Sequence, residues 1–205
     1  MKVLVIYYSL TQQAALAADL AAEALREEGA AVTLARVDFA DPAVAPQRPF
    51  SLADVKRWSE GAARGDCYPM AVQPADALTP RYDLVLLFSN TWQHHPSTPI
   101  RSLLAMPAFK ALLNGTPFAV FVVSRLLWEK NADIVKREGE AAGGRCVAVD
   151  HFHHRGSSIG SLITTVFYMM SRGPQVPWPL PKFGLAERDI ARIKPATRAV
   201  LAKLR

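Results

Sequence analysis

Short apolar runs of strand length alternate with stretches of helical periodicity along most of the chain. No other feature restricts the fold as much. Residues 2–7 (Lys-Val-Leu-Val-Ile-Tyr) are nearly all apolar or β-branched, as a strand buried on both faces requires. A polar turn follows at Ser9 to Gln13. Ala14 to Arg26 then places Leu16, Leu20 and Ala24 on one helical face, with Gly29 where a helix C-cap belongs. Val32–Val37, Leu84–Phe88, Phe118–Val123 and Arg145–Val149 read as four further strands, and Ile100–Leu113, restarted at Pro107, and Leu127–Glu140 as helices between them. Parallel strands need crossover connections, and those connections are right-handed. The pattern therefore predicts an α/β fold, a doubly wound five-stranded parallel sheet with helices on both faces.

The stretch 38–81 interrupts this order with six prolines and reads as an irregular excursion. Within it, Ser51 is placed to cap a short helix, with Asp54 at the third helical position. A second proline-rich stretch, 174–181, reads as an extended arm ahead of a basic helix. There is no internal repeat, and 205 residues that are 50% hydrophobic and 20% charged fit a single domain over 1–205. Two cysteines, Cys67 and Cys146, exclude a disulfide-dense secreted scaffold and a four-cysteine zinc site. The first residues do not read as a signal peptide, and no apolar run reaches the roughly 18 residues of a spanning helix. The expected setting is cytoplasmic.

The formal net charge is +6, and residues 182–205, with seven Lys/Arg against Glu187 and Asp189, carry +5 of it. Two readings follow: a solvated helix face, or weak association with an anionic membrane surface. Nucleic acid is not an expected partner, since no binding motif or aromatic platform accompanies the charge.

In a doubly wound sheet, ligands bind beyond the carboxyl ends of the strands. Three loops lie there. Tyr8-Ser9-Leu10-Thr11-Gln12-Gln13-Ala14 sets two hydroxyls just before a helix N-terminus. That arrangement serves a phosphate monoester or an ordinary helix cap. It contains neither G-x-G-x-x-G nor a Gly-Lys-Ser/Thr P-loop, which argues against a dinucleotide or ATP site. Asn90-Thr91-Trp92-Gln93-His94-His95-Pro96 combines an aromatic with amide and imidazole groups, as a planar heteroaromatic ligand requires. Ser124-Arg125-Leu126-Leu127-Trp128 again puts polar groups and an aromatic at a strand end.

These loops, with Asn-Thr-Trp leading to Pro99 and Phe183-Gly184-Leu185 opening the last helix, resemble the flavodoxin-like FMN-dependent NAD(P)H oxidoreductases. Tyr7-Tyr8-Ser9-x-Thr11-x-Gln13, Arg125-x-x-Trp128 and Val149-Asp150 are similar to a subgroup often labelled dialkylresorcinol-condensing enzymes. The resemblance implies strand order 2-1-3-4-5. It also implies FMN as cofactor, with Ser9, Thr11, Gln12 and Gln13 around the phosphate. Asn90, Thr91, Trp92 and Gln93 would lie along the isoalloxazine and ribityl chain, and Ser124, Arg125 and Trp128 on the other side. The phosphate loop departs from the family pattern Ser/Thr-x-Thr-Gly-x-Thr: Gln12 stands at the glycine and Ala14 at the last threonine.

The resemblance implies an enzyme that passes reducing equivalents from NAD(P)H, as co-substrate, through FMN to a small lipophilic or aromatic acceptor such as a quinone, and a homodimer. All five histidines fall in two windows, His94-His95 and His151-x-His153-His154, each just after an expected strand, and read as rim histidines on the ligand side of the sheet that hydrogen-bond cofactor or substrate. His94 and His95 are the candidates for proton delivery to the acceptor. The spacing lacks a closed ligand set, so no bound metal is expected. The segment from Gly160 to Phe183 is apolar, and reads either as the wall receiving the acceptor or as a dimer seam. Three alternatives stand beside the oxidoreductase: an electron carrier, a flavin-free partner protein of a lipid or polyketide pathway, and a histidine-rich metal-dependent hydrolase.

Overall fold

The computed structural model describes residues 1–171 and 176–204. In chain order the elements are β1 (Lys2–Tyr7), α1 (Gln13–Glu27), β2 (Ala31–Phe39), α2 (Leu52–Arg64), β3 (Met70–Gln73), β4 (Leu84–Trp92) and β5 (His95–Pro96). They continue with α3 (Thr98–Ala105), α4 (Pro107–Leu113), β6 (Pro117–Ser124), α5 (Glu129–Ala141), β7 (Arg145–His153), α6 (Ser158–Met170) and α7 (Glu187–Ala202). The sheet order is β3-β2-β1-β4-β6-β7, with β5 folded back on β4. The five parallel strands β2-β1-β4-β6-β7 thus lie in the expected order.

The central strands β1, β4 and β6 are buried on both faces, which accounts for their unbroken apolar sequences. Leu4, Ile6, Leu87 and Val120 pack with Ile100, Leu103 and Phe109 on one side. Val3, Val5, Leu86 and Phe121 pack with α1 and α7 on the other. The face α1 turns inward is nearly all alanine (Ala14, Ala17, Ala18, Ala21, Ala22), so the helix backbone lies close to the strands.

The structure differs from the sequence reading in several places. The sheet has seven strands rather than five, because β3 adds an antiparallel edge to β2 and β5 makes a short return. Both are too short to show a period. The excursion at 38–81 holds β3 and the 13-residue α2. That helix opens at the anticipated capping box: Ser51 Oγ accepts the Asp54 N–H, and the Asp54 carboxylate accepts the Ser51 N–H at 2.8 Å. The helix expected over 100–113 does restart at Pro107, as α3 and α4 separated at Met106. Strand β7 runs on to His153, so His151 and His153 belong to a strand rather than a loop. The last helix begins at Glu187, after Phe183-Gly184-Leu185.

The proline-rich arm lies partly outside the described residues, as Pro174 and Gln175 do. The basic C-terminal helix α7 packs across α1, and its cations meet carboxylates of the same chain. Lys194 pairs with Glu23 and Glu27, Arg198 with Glu27 and Glu28, and Arg192 with Asp150 and Asp189. These cations of α7 are thus paired within the chain. Among the described residues, no helix is long and apolar enough to cross a membrane.

Candidate functional site

The chain leaves β1 toward β2 on one side and reaches β4 on the other, so the sheet order reverses between β1 and β4. The loops after β1, β4 and β6 meet there around one cavity of about 610 Å³, within the range of roughly 300–1,000 Å³ typical of ligand sites. Each loop holds one non-glycine residue in the left-handed region: Gln12 at φ 63°, Gln93 at φ 57° and Leu127 at φ 61°. These are the three such residues among those described. Each costs of order 1 kcal/mol, and strain of this kind concentrates at ligand sites.

In the first loop, Gln12 adopts the conformation for which the resembling families use glycine, and its side chain faces solvent. Ser9 is buried, and its Oγ accepts the Ala15 N–H at 3.2 Å, which leaves the hydroxyl proton to donate elsewhere. Gln13 works as a strut. Its Oε1 accepts the Leu185 N–H at 2.8 Å and its Nε2 donates to the Thr11 carbonyl at 3.3 Å. The loop is thereby fastened to the segment before α7. Ser9, Thr11 and Gln13 line the cavity, and the N-terminal end of α1 beside them favours an anion.

The second loop is a hairpin whose two-residue turn is Gln93-His94, with Trp92 paired to His95 and Thr91 to Pro96. Two clamps fix it. Ser97 Oγ donates to Asn90 Oδ1 at 2.7 Å, and the buried Asn131 of α5 donates to Thr91 Oγ1 at 2.9 Å while accepting from Ser89 at 2.7 Å. The Trp92 ring is held edge-on by Tyr8 and Trp58. Asn90, Thr91, Trp92, Gln93 and His94 all face the cavity, whereas His95 sits in β5 outside it. Burial, with Lys130 nearby, lowers the His95 pKa below its ordinary value.

From the third loop, Ser124 and Arg125 line the cavity. Trp128 does not: it stacks on His151 with ring centroids 4.1 Å apart. The placement of Trp128 opposite the second loop is therefore corrected, because the left-handed turn at Leu127 swings the next residue toward β7. Two buried polar atoms on the cavity wall have no hydrogen-bond partner, Ser124 Oγ and His154 Nδ1. An orphaned buried polar atom costs about 1–3 kcal/mol unless a ligand or water satisfies it. Burial pushes the His154 imidazole down to about 4, with Arg125 and His153 adding to the effect, so it is neutral near pH 7 and presents one donor and one acceptor.

The lining residues that the sequence reading misses are Phe50, Val55, Trp58 and Ser59, from the irregular stretch 38–81. Of the second histidine window, read as lying on the ligand side, His154 lines the cavity. Strand alternation and its backbone bond to the Ser124 carbonyl (3.1 Å) turn it inward. Phe183 and, from α6, Leu162, Val166 and Met169 complete an apolar wall. Among the described residues no three His, Cys, Asp or Glu side chains converge as metal ligands.

The residues present suit a phosphorylated planar heteroaromatic group: hydroxyls at a helix N-terminus, one aromatic wall, and two unsatisfied polar atoms on the opposite side. No family model matches the chain, and no curated protein matches it in sequence. Solved structures do match in shape. An FMN-bound flavoprotein from Lactobacillus acidophilus superposes with a TM-score of 0.56 and 20% identity, over 73% of this chain and 92% of that one. A flavodoxin from the domain Archaea gives 0.54 and 12%, over 100% and 99%, and a Streptococcus pneumoniae flavodoxin gives 0.51 and 13%, over 99% of each. At such identities the likeness is one of architecture, and the chain has the flavodoxin-like fold.

Proposed function

We propose that the chain binds FMN in this cavity and passes reducing equivalents from NAD(P)H to a small lipophilic or aromatic acceptor such as a quinone. The observation that carries this reading is the convergence of the three strained loops on one cavity, with Ser9 and Thr11 at the α1 N-terminus. When bound, the isoalloxazine supplies hydride and electron transfer. Ser9, Thr11 and the first turn of α1 hold the phosphate. Trp92, fixed by Tyr8 and Trp58, bounds the ring site on one side. Ser124 Oγ and neutral His154 hydrogen-bond polar edges of ring or acceptor, and Arg125 adds positive charge beside them. His94, solvent-exposed at the cavity rim, delivers a proton to a reduced acceptor. His95 is withdrawn from that role, because β5 keeps it off the cavity wall.

The alternative of a flavin-free partner protein is favoured by one observation, Gln12 and Ala14 in place of the family's glycine and threonine. Titration with FMN against riboflavin decides between them. The phosphate contributes charge-assisted bonds worth about 1.5–3 kcal/mol each. FMN is therefore expected to bind at least about tenfold more tightly than riboflavin, and Thr11→Val to narrow the gap. Equal binding, or none, refutes the proposal.

A further inference from the structure

We propose that the outward face of α6 seats the protein on an anionic lipid surface. An ordinary surface helix buries its apolar side and exposes a polar one, whereas α6 turns one apolar side to the cavity and exposes a second. Ser161 and Thr164 are turned inward, at 3% and 2% exposure, while Ile159, Ile163, Phe167 and Met170 are 72%, 47%, 39% and 39% exposed. Their spacing of four, four and three residues forms one stripe along the helix. The inward hydroxyl of Thr164 donates to the Pro181 carbonyl at 3.1 Å. Loops, rather than a sheet face, hold the helix. The Phe50 N–H donates to the Met169 carbonyl at 2.8 Å, and Tyr168 stacks on Phe183 at 3.8 Å under the Arg48 guanidinium.

Charge selects the occupant. Helix α6 has no ionisable side chain except Tyr168, and residues 151–186 contain no Asp or Glu. Arg155 is ion-paired with Glu187 at 3.4 Å. Lys182 is exposed, and Arg48 donates to the Ser171 carbonyl at the C-terminal end of α6. With no carboxylate on the helix or in 151–186 to answer the exposed Lys182, anionic headgroups complement this face better than a second copy of it does. Trp178 is 92% exposed in the turn that follows, and an indole suits the headgroup boundary. Thirteen residues of helix are about 20 Å long, too short to span a bilayer but suited to lie in its surface. Leu162, Val166 and Met169 of the same helix wall the cavity, so a lipophilic ligand has a short path between lipid and site.

The test is co-sedimentation of the full chain with vesicles of equimolar phosphatidylcholine and phosphatidylglycerol, and with phosphatidylcholine alone. Binding is expected to the anionic vesicles and to weaken with added salt. The pair Ile163→Glu and Phe167→Glu, neither of which lines the cavity, is expected to reduce it at least about tenfold. Brominated lipid is expected to quench tryptophan fluorescence in the wild type and much less in Trp178→Phe, a reading that does not depend on the double variant folding. Absence of vesicle binding, equal binding to both compositions, or a solution dimer that the double substitution makes monomeric overturns the proposal. FMN titration of the same samples reports on the flavin site alone, so the two proposals fail separately.

Discussion

Replacing His154 by glutamine should flatten the acid limb of the stability profile. The His154 imidazole titrates near 4 in the folded protein against about 6.5 in an unfolded chain. Above pH 6.5 both states are neutral and the group has no effect. As pH falls below 6.5 the unfolded chain takes up a proton that the folded chain refuses, and stability declines by up to about 1.4 kcal/mol per pH unit. Between pH 7 and pH 4.5 this amounts to roughly 2–3 kcal/mol, a sizeable share of the roughly 5–15 kcal/mol typical of a domain. Burial also lowers the pKa of His95 and His151, so part of the decline remains in the variant. The assay is urea unfolding of wild type and His154→Gln at pH 7 and pH 4.5. The loss of stability on acidification should be smaller by about 2–3 kcal/mol in the variant. The quantity read is the difference between pH values, so any constant cost of the substitution cancels. An equal loss in both proteins would mean that His154 is solvated, and would remove it from the cavity wall.

Two further outcomes test the backbone and the core. Gln12→Gly relieves a left-handed strain of about 1–2 kcal/mol at an entropic cost of about 0.5–1 kcal/mol. Thermal unfolding should show a net gain of roughly 0.5–1 kcal/mol with FMN binding equal or tighter, and a loss would mean that the Gln12 side chain makes a contact the strain secures. Gly139→Ala would set a methyl 2.5 Å from Phe118 Cζ and 2.9 Å from Cε2, so chemical denaturation should show about 1–3 kcal/mol of overpacking. A neutral result would mean that α5 is free to move away from β6.

The sequence alone determined the five parallel strands, because runs buried on both faces have no polar positions and parallel strands require the helices found between them. It also determined the Ser51–Asp54 cap, a local hydrogen-bonding pattern, and the three loops that carry the site, since strand ends locate those directly. Which side chains of the loops face the cavity was decided only by the tertiary structure. His94 turns in and His95 out because a two-residue hairpin sets them on different parts of the chain. Trp128 leaves the site for His151 because Leu127 is left-handed, and His154 enters it because β7 runs four residues past Val149 before the chain turns. The outward face of α6 was equally hidden: the sequence marked the segment as apolar, but the hydrogen bonds from Thr164 to Pro181 and from Phe50 to Met169 and the stack of Tyr168 on Phe183 fix which side faces outward. Those contacts join residues distant in sequence, and no local periodicity carries information about them.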